Sequence, residues 1–203
     1  AALLDQSYYR LLRLVNNLSL AACMSEAQPV HLRDRDLVTL VGELCEQAAG
    51  LAELKGLTLR FVCALDRHVC AVDSDALEQI FNQLLSNALK FTPAGGTITV
   101  ELRRLNKNVL LSVEDTGCGI PEDRLETLFD RYLHSGTPDL PSHGLGLGLA
   151  LCQHLAKLLD GTLMAVSQPG KGSRFTLSLP DRQVGSDVSD IGFDYSGGFN
   201  RTL

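Results

Sequence analysis

Residues 75–91 read as one helix whose faces make different demands on the fold. Leu77, Ile80, Phe81, Leu84, Leu85 and Ala88 recur in steps of three and four and so form a single apolar stripe. Asp73 and Ser74 supply capping groups ahead of it, and Pro93 with Gly95-Gly96 stops it. Gln83, Asn87 and Lys90 stand at i, i+4 and i+7 and share a second face, while Asn82 is turned about 100° away. Such a helix must press its stripe onto an apolar surface and keep a polar flank beside it. Amide oxygens are hard donors suited to Mg²⁺, and a lysine suits phosphate oxygens. Taken alone, the flank reads equally well as a solvated surface.

Two glycine-bearing segments follow. Asp115-Thr116-Gly117-Cys118-Gly119-Ile120-Pro121 comes at the end of an apolar run. An ionised Asp only accepts hydrogen bonds, so it can read an exocyclic amine such as adenine N6, and flanking glycines let backbone approach a ligand. The alternative is a tight strand-to-helix turn. Gly144-Leu145-Gly146-Leu147-Gly148-Leu149 stands just ahead of a helical pattern, where free N–H groups and the helix dipole attract phosphate. Two other nucleotide signatures fail. G-x-G-x-x-G read from Gly144 meets Leu149, and Gly170-Lys171-Gly172 lacks the hydroxyl residue and preceding glycine of a P-loop.

The remaining pattern is mixed. Residues 3–23 carry a heptad seam, Leu4, Tyr8, Leu11, Val15, Leu18 and Ala22, that predicts a bundle helix in need of a partner. A short strand is expected over Val30–Arg33, then a helix over about 36–54 capped by Asp34 or Asp36 and closed by Gly56. Strands are expected at Leu57–Ala64 and Val69–Val72, and a hairpin joins Thr97–Leu105 to Val109–Glu114. Pro121 opens a short helix to about Leu128, and residues 133–145 form a loop of a length that is usually either a functional lid or disordered. A helix over 146–159 and a last hairpin, Thr162–Ser167 with Ser173–Leu179, follow. Without regular β-α-β alternation this predicts an α+β two-layer sandwich, a mixed sheet with helices on one face. The expected division is a bundle helix at 1–26, a main domain at 27–182 and a Gly/Ser/Asp-rich tail at 183–203 that reads as a linker or weakly ordered segment, with docking through Phe193, Tyr195 and Phe199 as the alternative.

Apolar residues make up 45% of the 203, enough for a real core. The net charge of -6 argues against a nucleic-acid partner. No run is long enough to span a membrane and no signal peptide is seen. The cysteines at 23, 45, 63, 70, 118 and 152 have no metal or redox spacing and read as small buried thiols.

With the segments taken in order, the chain resembles the catalytic ATP-binding domain of bacterial sensor histidine kinases, within the wider gyrase, Hsp90, MutL and histidine-kinase group of ATP sites. The resemblance spans about residues 30–180 and rests on four boxes: Gln83–Phe91 (N), Asp115–Gly119 (G1), Leu128-Phe129-Asp130-Arg131-Tyr132 (F) and Gly144–Gly148 (G2). It implies the Bergerat ATP-binding fold, with ATP and Mg²⁺ as cofactors. Asn87 matches the Mg²⁺-ligating asparagine, with Gln83 within reach of the metal, and Lys90 matches the phosphate-contacting position. Asp115 matches the adenine carboxylate; Gly117, Gly119 and Ile120 line the base pocket. Phe129 and Tyr132 anchor one end of a lid, and Gly144, Leu145, Gly146, Leu147 and Gly148 form its other end. Arg131, His134 and His143 fall in or beside that lid.

Gln83 stands where the kinases usually carry Asn and the hydrolysing relatives Glu. Gln cannot act as a general base, which disfavours an ATPase and leaves a non-catalytic nucleotide-binding regulator as the alternative. The resemblance implies transfer of the γ-phosphoryl group to a histidine. None of His31, His68, His134, His143 or His154 is followed by Glu or Asp, so the acceptor is expected N-terminal to this chain. Residues 3–23 resemble the second helix of the dimerisation hairpin. A response regulator and a homodimer of the whole protein are the implied partners. A cytoplasmic location is expected, with a membrane reached only through parts outside this chain.

Overall fold

The computed structural model describes residues 30–129 and 147–185. The bundle helix expected at 3–23, Tyr132, Gly144–Gly146, the loop 133–145 with its histidines, and the aromatics of the tail lie outside the described residues.

In chain order the elements are β1 (Arg33–Asp36), α1 (Leu37–Leu54), β2 (Thr58–Cys63), β3 (Val69–Val72), α2 (Ser74–Phe91), β4 (Thr97–Leu105), β5 (Asn108–Asp115), α3 (Glu122–Leu125), α4 (Leu147–Leu158), β6 (Thr162–Gln168) and β7 (Gly172–Pro180). The main sheet has order β2-β4-β5-β7-β6; β2 runs parallel to β4 and every other pairing is antiparallel. β1 and β3 make a separate antiparallel pair.

β1 corrects the expected strand at Val30–Arg33, since the pairing begins at Arg33, opposite Val72. The reason lies in Asp36. Its carboxylate accepts from Val38 N at 3.2 Å, which starts α1, and from His68 N at 3.1 Å, which ties that start to the chain entering β3. Asp73 does the same for α2, accepting from Asp75 N and Ala76 N at 3.1 Å and from His31 N at 2.9 Å.

One sheet face carries Ile98, Val100 and Leu102 of β4, Val109, Leu111 and Val113 of β5, and Phe175, Leu177 and Leu179 of β7, all buried. The stripe of α2 lies against this face, with Phe81, Ile80 and Leu84 wholly inaccessible to solvent. α1 and α4 flank it and contribute Leu37, Val41, Cys152 and Ala156 to the same core. On the opposite face, Arg174 of β7 pairs with Glu101 of β4 and with Glu114 of β5, and Ser112 meets Thr176 at 2.9 Å. That alternation of apolar and polar residues explains how the sheet can face water on one side.

Beyond β7 the chain forms a strap. Asp181 meets His68 at 2.9 Å and Arg104 at 2.5 Å, Ala71 N donates to Arg182 O at 2.7 Å, and Val184 N donates to Asp34 at 2.8 Å.

Of the cysteines, Cys45, Cys70 and Cys152 are buried as expected, and burial pushes the Cys45 and Cys152 thiols up to about 12. Cys118 departs from the expectation and is exposed, because it sits between the two glycines of a loop that leaves the end of the central strand β5.

Candidate nucleotide site

A cleft of about 270 Å³ opens between α2, the end of β5 and the start of α4. The polar flank of α2 forms one wall: Gln83, Asn87 and Lys90 all line it. Asn82 does not line it; it is exposed and turned toward Glu78, at 3.5 Å. Asn82 and Gln83 thus stand on different faces of α2, as their spacing predicts. Lys90 Nζ also stands 5.1 Å from the centre of the Phe91 ring, within cation–π range.

The far wall holds Asp115, Gly119 and Ile120. Asp115 is the last residue of β5 and is only 6% exposed. Its carboxylate accepts from Gly117 N at 2.8 Å. Burial pushes its pKa above the ordinary carboxylate value, although backbone donors at Gly117 and Ser173 pull the other way. A buried carboxylate with spare acceptor capacity, facing a cleft, is the group that an amine-bearing base edge would satisfy. Gly117 does not line this cleft but lies against Phe91 O beside it, and Gly119, at φ 68, turns the loop so close to Gln168 O that a Cβ would collide with it.

The loop is held from beneath by a residue that local sequence pattern does not single out. Ser167 Oγ accepts from Ile120 N at 2.7 Å, donates to Gly172 O at 2.8 Å and lies 3.0 Å from Ser173 Oγ. Ser167→Ala would leave Ile120 N–H without its acceptor, and we expect a loss of about 1–2 kcal/mol in urea unfolding. An unchanged unfolding midpoint would show that water replaces the hydroxyl at no cost.

Further residues line the cleft without having been expected there: Phe91, Arg124, Leu128, Leu149, Ser173 and Phe175. Phe91 carried a signal, since it follows Lys90 at the end of the amide-and-lysine helix and lies outside the apolar stripe; in the structure it is 45% exposed despite its size. Phe129, expected beside the lid, is partly buried and packs on the core, and its neighbour Leu128 reaches the cleft instead. Leu147 opens α4, and Gly148 packs against Gln83. Asn87 and Gln83 offer amide oxygens and Lys90 offers an ammonium, a set that fits a hard cation carried mainly by phosphates and water. No group of His, Cys, Asp and Glu among the described residues could hold a metal by itself.

Residues 72–183, more than half of the chain, match the family described as histidine kinase-, DNA gyrase B-, and HSP90-like ATPase. The sensor protein DivL of Caulobacter vibrioides is 38% identical over 149 residues, 73% of this chain and 19% of DivL. The alginate biosynthesis sensor protein KinB of Pseudomonas aeruginosa is 31% identical over 177 residues, 87% of this chain and 29% of KinB. The chain thus spans less than a third of either relative. Among solved structures, full-length ShkA in complex with AMPPNP superposes with a TM-score of 0.74 at 26% identity, covering 90% of this chain and 38% of ShkA. No helix among the described residues is long and apolar enough to cross a membrane.

Proposed function

The chain belongs to the histidine kinase-, DNA gyrase B-, and HSP90-like ATPase family, and from that premise we propose that it is the ATP-binding catalytic part of a two-component sensor histidine kinase. The observation that carries this reading is the placing of one buried carboxylate, Asp115, across a cleft from the amides and lysine of α2. A base edge would bind Asp115, Gly119 and Ile120, and a polyphosphate would then extend toward Lys90 and Asn87. Asn87, with the Gln83 amide beside it, would hold Mg²⁺, which supplies charge neutralisation on the phosphates. Leu147 and Gly148 put the start of α4 at the same end of the cleft, where the helix dipole favours anions. In this reading Phe129 and Tyr132 would anchor one end of a lid and Gly144–Gly146 the other.

Phosphoryl transfer rests mainly on positioning and electrostatic stabilisation, which is what these residues offer. The acceptor would be a histidine outside this chain, presented by the helix hairpin to which residues 3–23 contribute. A response regulator would take the phosphoryl group onward, and the whole protein would act as a dimer, joined to a membrane through other parts. Gln83 carries no carboxylate to activate water, which weighs against steady ATP hydrolysis. The same Gln83 keeps a second reading open, a regulator that binds nucleotide without transferring phosphate.

Calorimetric titration with AMPPNP, with and without Mg²⁺, tests the proposal. One-to-one binding that Mg²⁺ tightens is expected, and Asn87→Ala should remove at least about tenfold of that Mg²⁺-dependent gain, the scale on which residues around a metal act. Absence of any AMPPNP binding by the unsubstituted chain would refute the nucleotide site.

A further inference from the structure

Gln83 touches two parts of the site at once. Its Nε2 donates to Asn87 Oδ1 at 3.3 Å, one turn further along α2. Its amide also fills the space over Gly148, in the first turn of α4: a Cβ on Gly148 would come within 2.5 Å of both Gln83 Nε2 and Oε1. Gly148 itself is buried there. The side chain is thus wedged between the two helices with its N–H directed at the oxygen that the proposed metal site requires.

We propose that Gln83 is a positioning residue that serves the metal through Asn87, not a metal ligand itself. This rests on the nucleotide reading above. A carboxamide oxygen has two acceptor directions; the Gln83 N–H takes one and so fixes the other toward the cleft, as outer partners fix metal ligands elsewhere. The contact with Gly148 sets the position of the Gln83 amide. Gln has one methylene more than Asn, and that added length lets it reach the first turn of α4 while still bonding to Asn87. Residue 83 and residue 148 are therefore a matched pair: the Gln83 amide fits there only because residue 148 has no Cβ.

Two measurements test this on the intact chain. The first is the ratio of ADP affinities with and without Mg²⁺, by calorimetry, in Gln83→Met and Gln83→Glu. Neither side chain can donate to Asn87 at neutral pH, so the ratio is expected to fall about tenfold in both. If Gln83 bound the metal directly, the carboxylate of Gln83→Glu would raise the ratio, and that result overturns the proposal. An unchanged ratio in Gln83→Met overturns it too, leaving Gln83 as packing only. The second is thermal melting without nucleotide, which bears on the matched pair alone. Gly148→Ala is expected to lower the melting temperature by several degrees, and Gln83→Asn in the same chain to recover more than half of the loss; independent effects of the two substitutions would refute the pairing. Failure of the unsubstituted chain to bind ADP at all would overturn the nucleotide reading and the role of Gln83 with it. Loss of the ratio effect alone overturns only the latter.

Discussion

Asp115→Asn is expected to weaken ADP binding by about 10- to 100-fold while making the empty domain more stable at neutral pH. A hydrogen bond to a charged acceptor contributes roughly 1.5–3 kcal/mol, and each 1.4 kcal/mol is tenfold in affinity. The opposite effect on stability follows from burial. Asp115 is 6% exposed and its pKa lies above the ordinary 3.8, with desolvation as the main cause. A carboxyl whose folded-state pKa is raised binds its proton more tightly in the folded chain than in the unfolded one. It therefore destabilises the fold when ionised, and that cost disappears as pH falls from the raised value through 3.8. Asn carries no charge to desolvate. The unsubstituted domain should gain stability relative to Asp115→Asn as the solution is acidified through that window, and its ADP affinity should fall over the same range, because the ionised form is the acceptor. Asp36 shifts in the other direction, held low chiefly by the His68 N–H, so the comparison must be made as a difference between the two proteins. Equal ADP affinity in both would remove Asp115 from the base-recognition role.

Gly172→Ala should be among the most damaging substitutions in the domain, with a loss of roughly 3 kcal/mol or more and a melting temperature lower by about 10 °C. Gly172 opens β7 at φ 104, a conformation that L side chains rarely adopt. A Cβ there would fall on the Asp115 carbonyl oxygen and come to 3.0 Å from Thr116 Cα. Neither obstacle is a flexible side chain that could swing away; both are backbone in β5 and the loop after it. Relief must come from moving β5 and β7 apart at the point where they hold the carboxylate. ADP binding should therefore fall along with stability. Gly170→Ala is the comparison: φ is 76, but nothing lies within 4 Å of its Cβ, so it pays only the backbone strain, about 1 kcal/mol. Equal melting temperatures for the two alanine variants would show that β7 yields without cost.

The elements that sequence pattern locates well are those whose determinants are local. β3 matches its expected bounds, Val69–Val72, residue for residue. α2 begins at Ser74 because Asp73 caps it, and its stripe is the buried one. The first residue of the site legible in this way is Asn87, because a period of 3.6 fixes which side chains share a face. What is not legible depends on contacts between distant segments. Ser167 supports Ile120 across 47 positions, and Gln83 of α2 meets Gly148 of α4, a different helix far along the chain. β1 starts later than its apolar residues suggest because the Asp36 cap, bonded to the His68 N–H, and not hydrophobicity, sets where the chain pairs. Arg124 reaches the cleft from a helix of four residues with nothing buried, for which amphipathic pattern supplies no signal.

The strap beyond β7 has a mechanical consequence. It leaves the sheet at Pro180, which pairs with Asn108 at the start of β5, whereas Asp115 stands at that strand's other end. Eight residues of strand at about 3.4 Å per step place the two roughly 24 Å apart. The strap then joins Arg182 to Ala71 and Val184 to Asp34, beside the segment by which the chain enters β1. Entry and exit of the domain are thus fastened to one ribbon, remote from the cleft. A pull or twist applied at either connection loads that ribbon first, and the ribbon runs from Val72 through the Asp73 cap straight into α2, the helix that carries Gln83, Asn87 and Lys90.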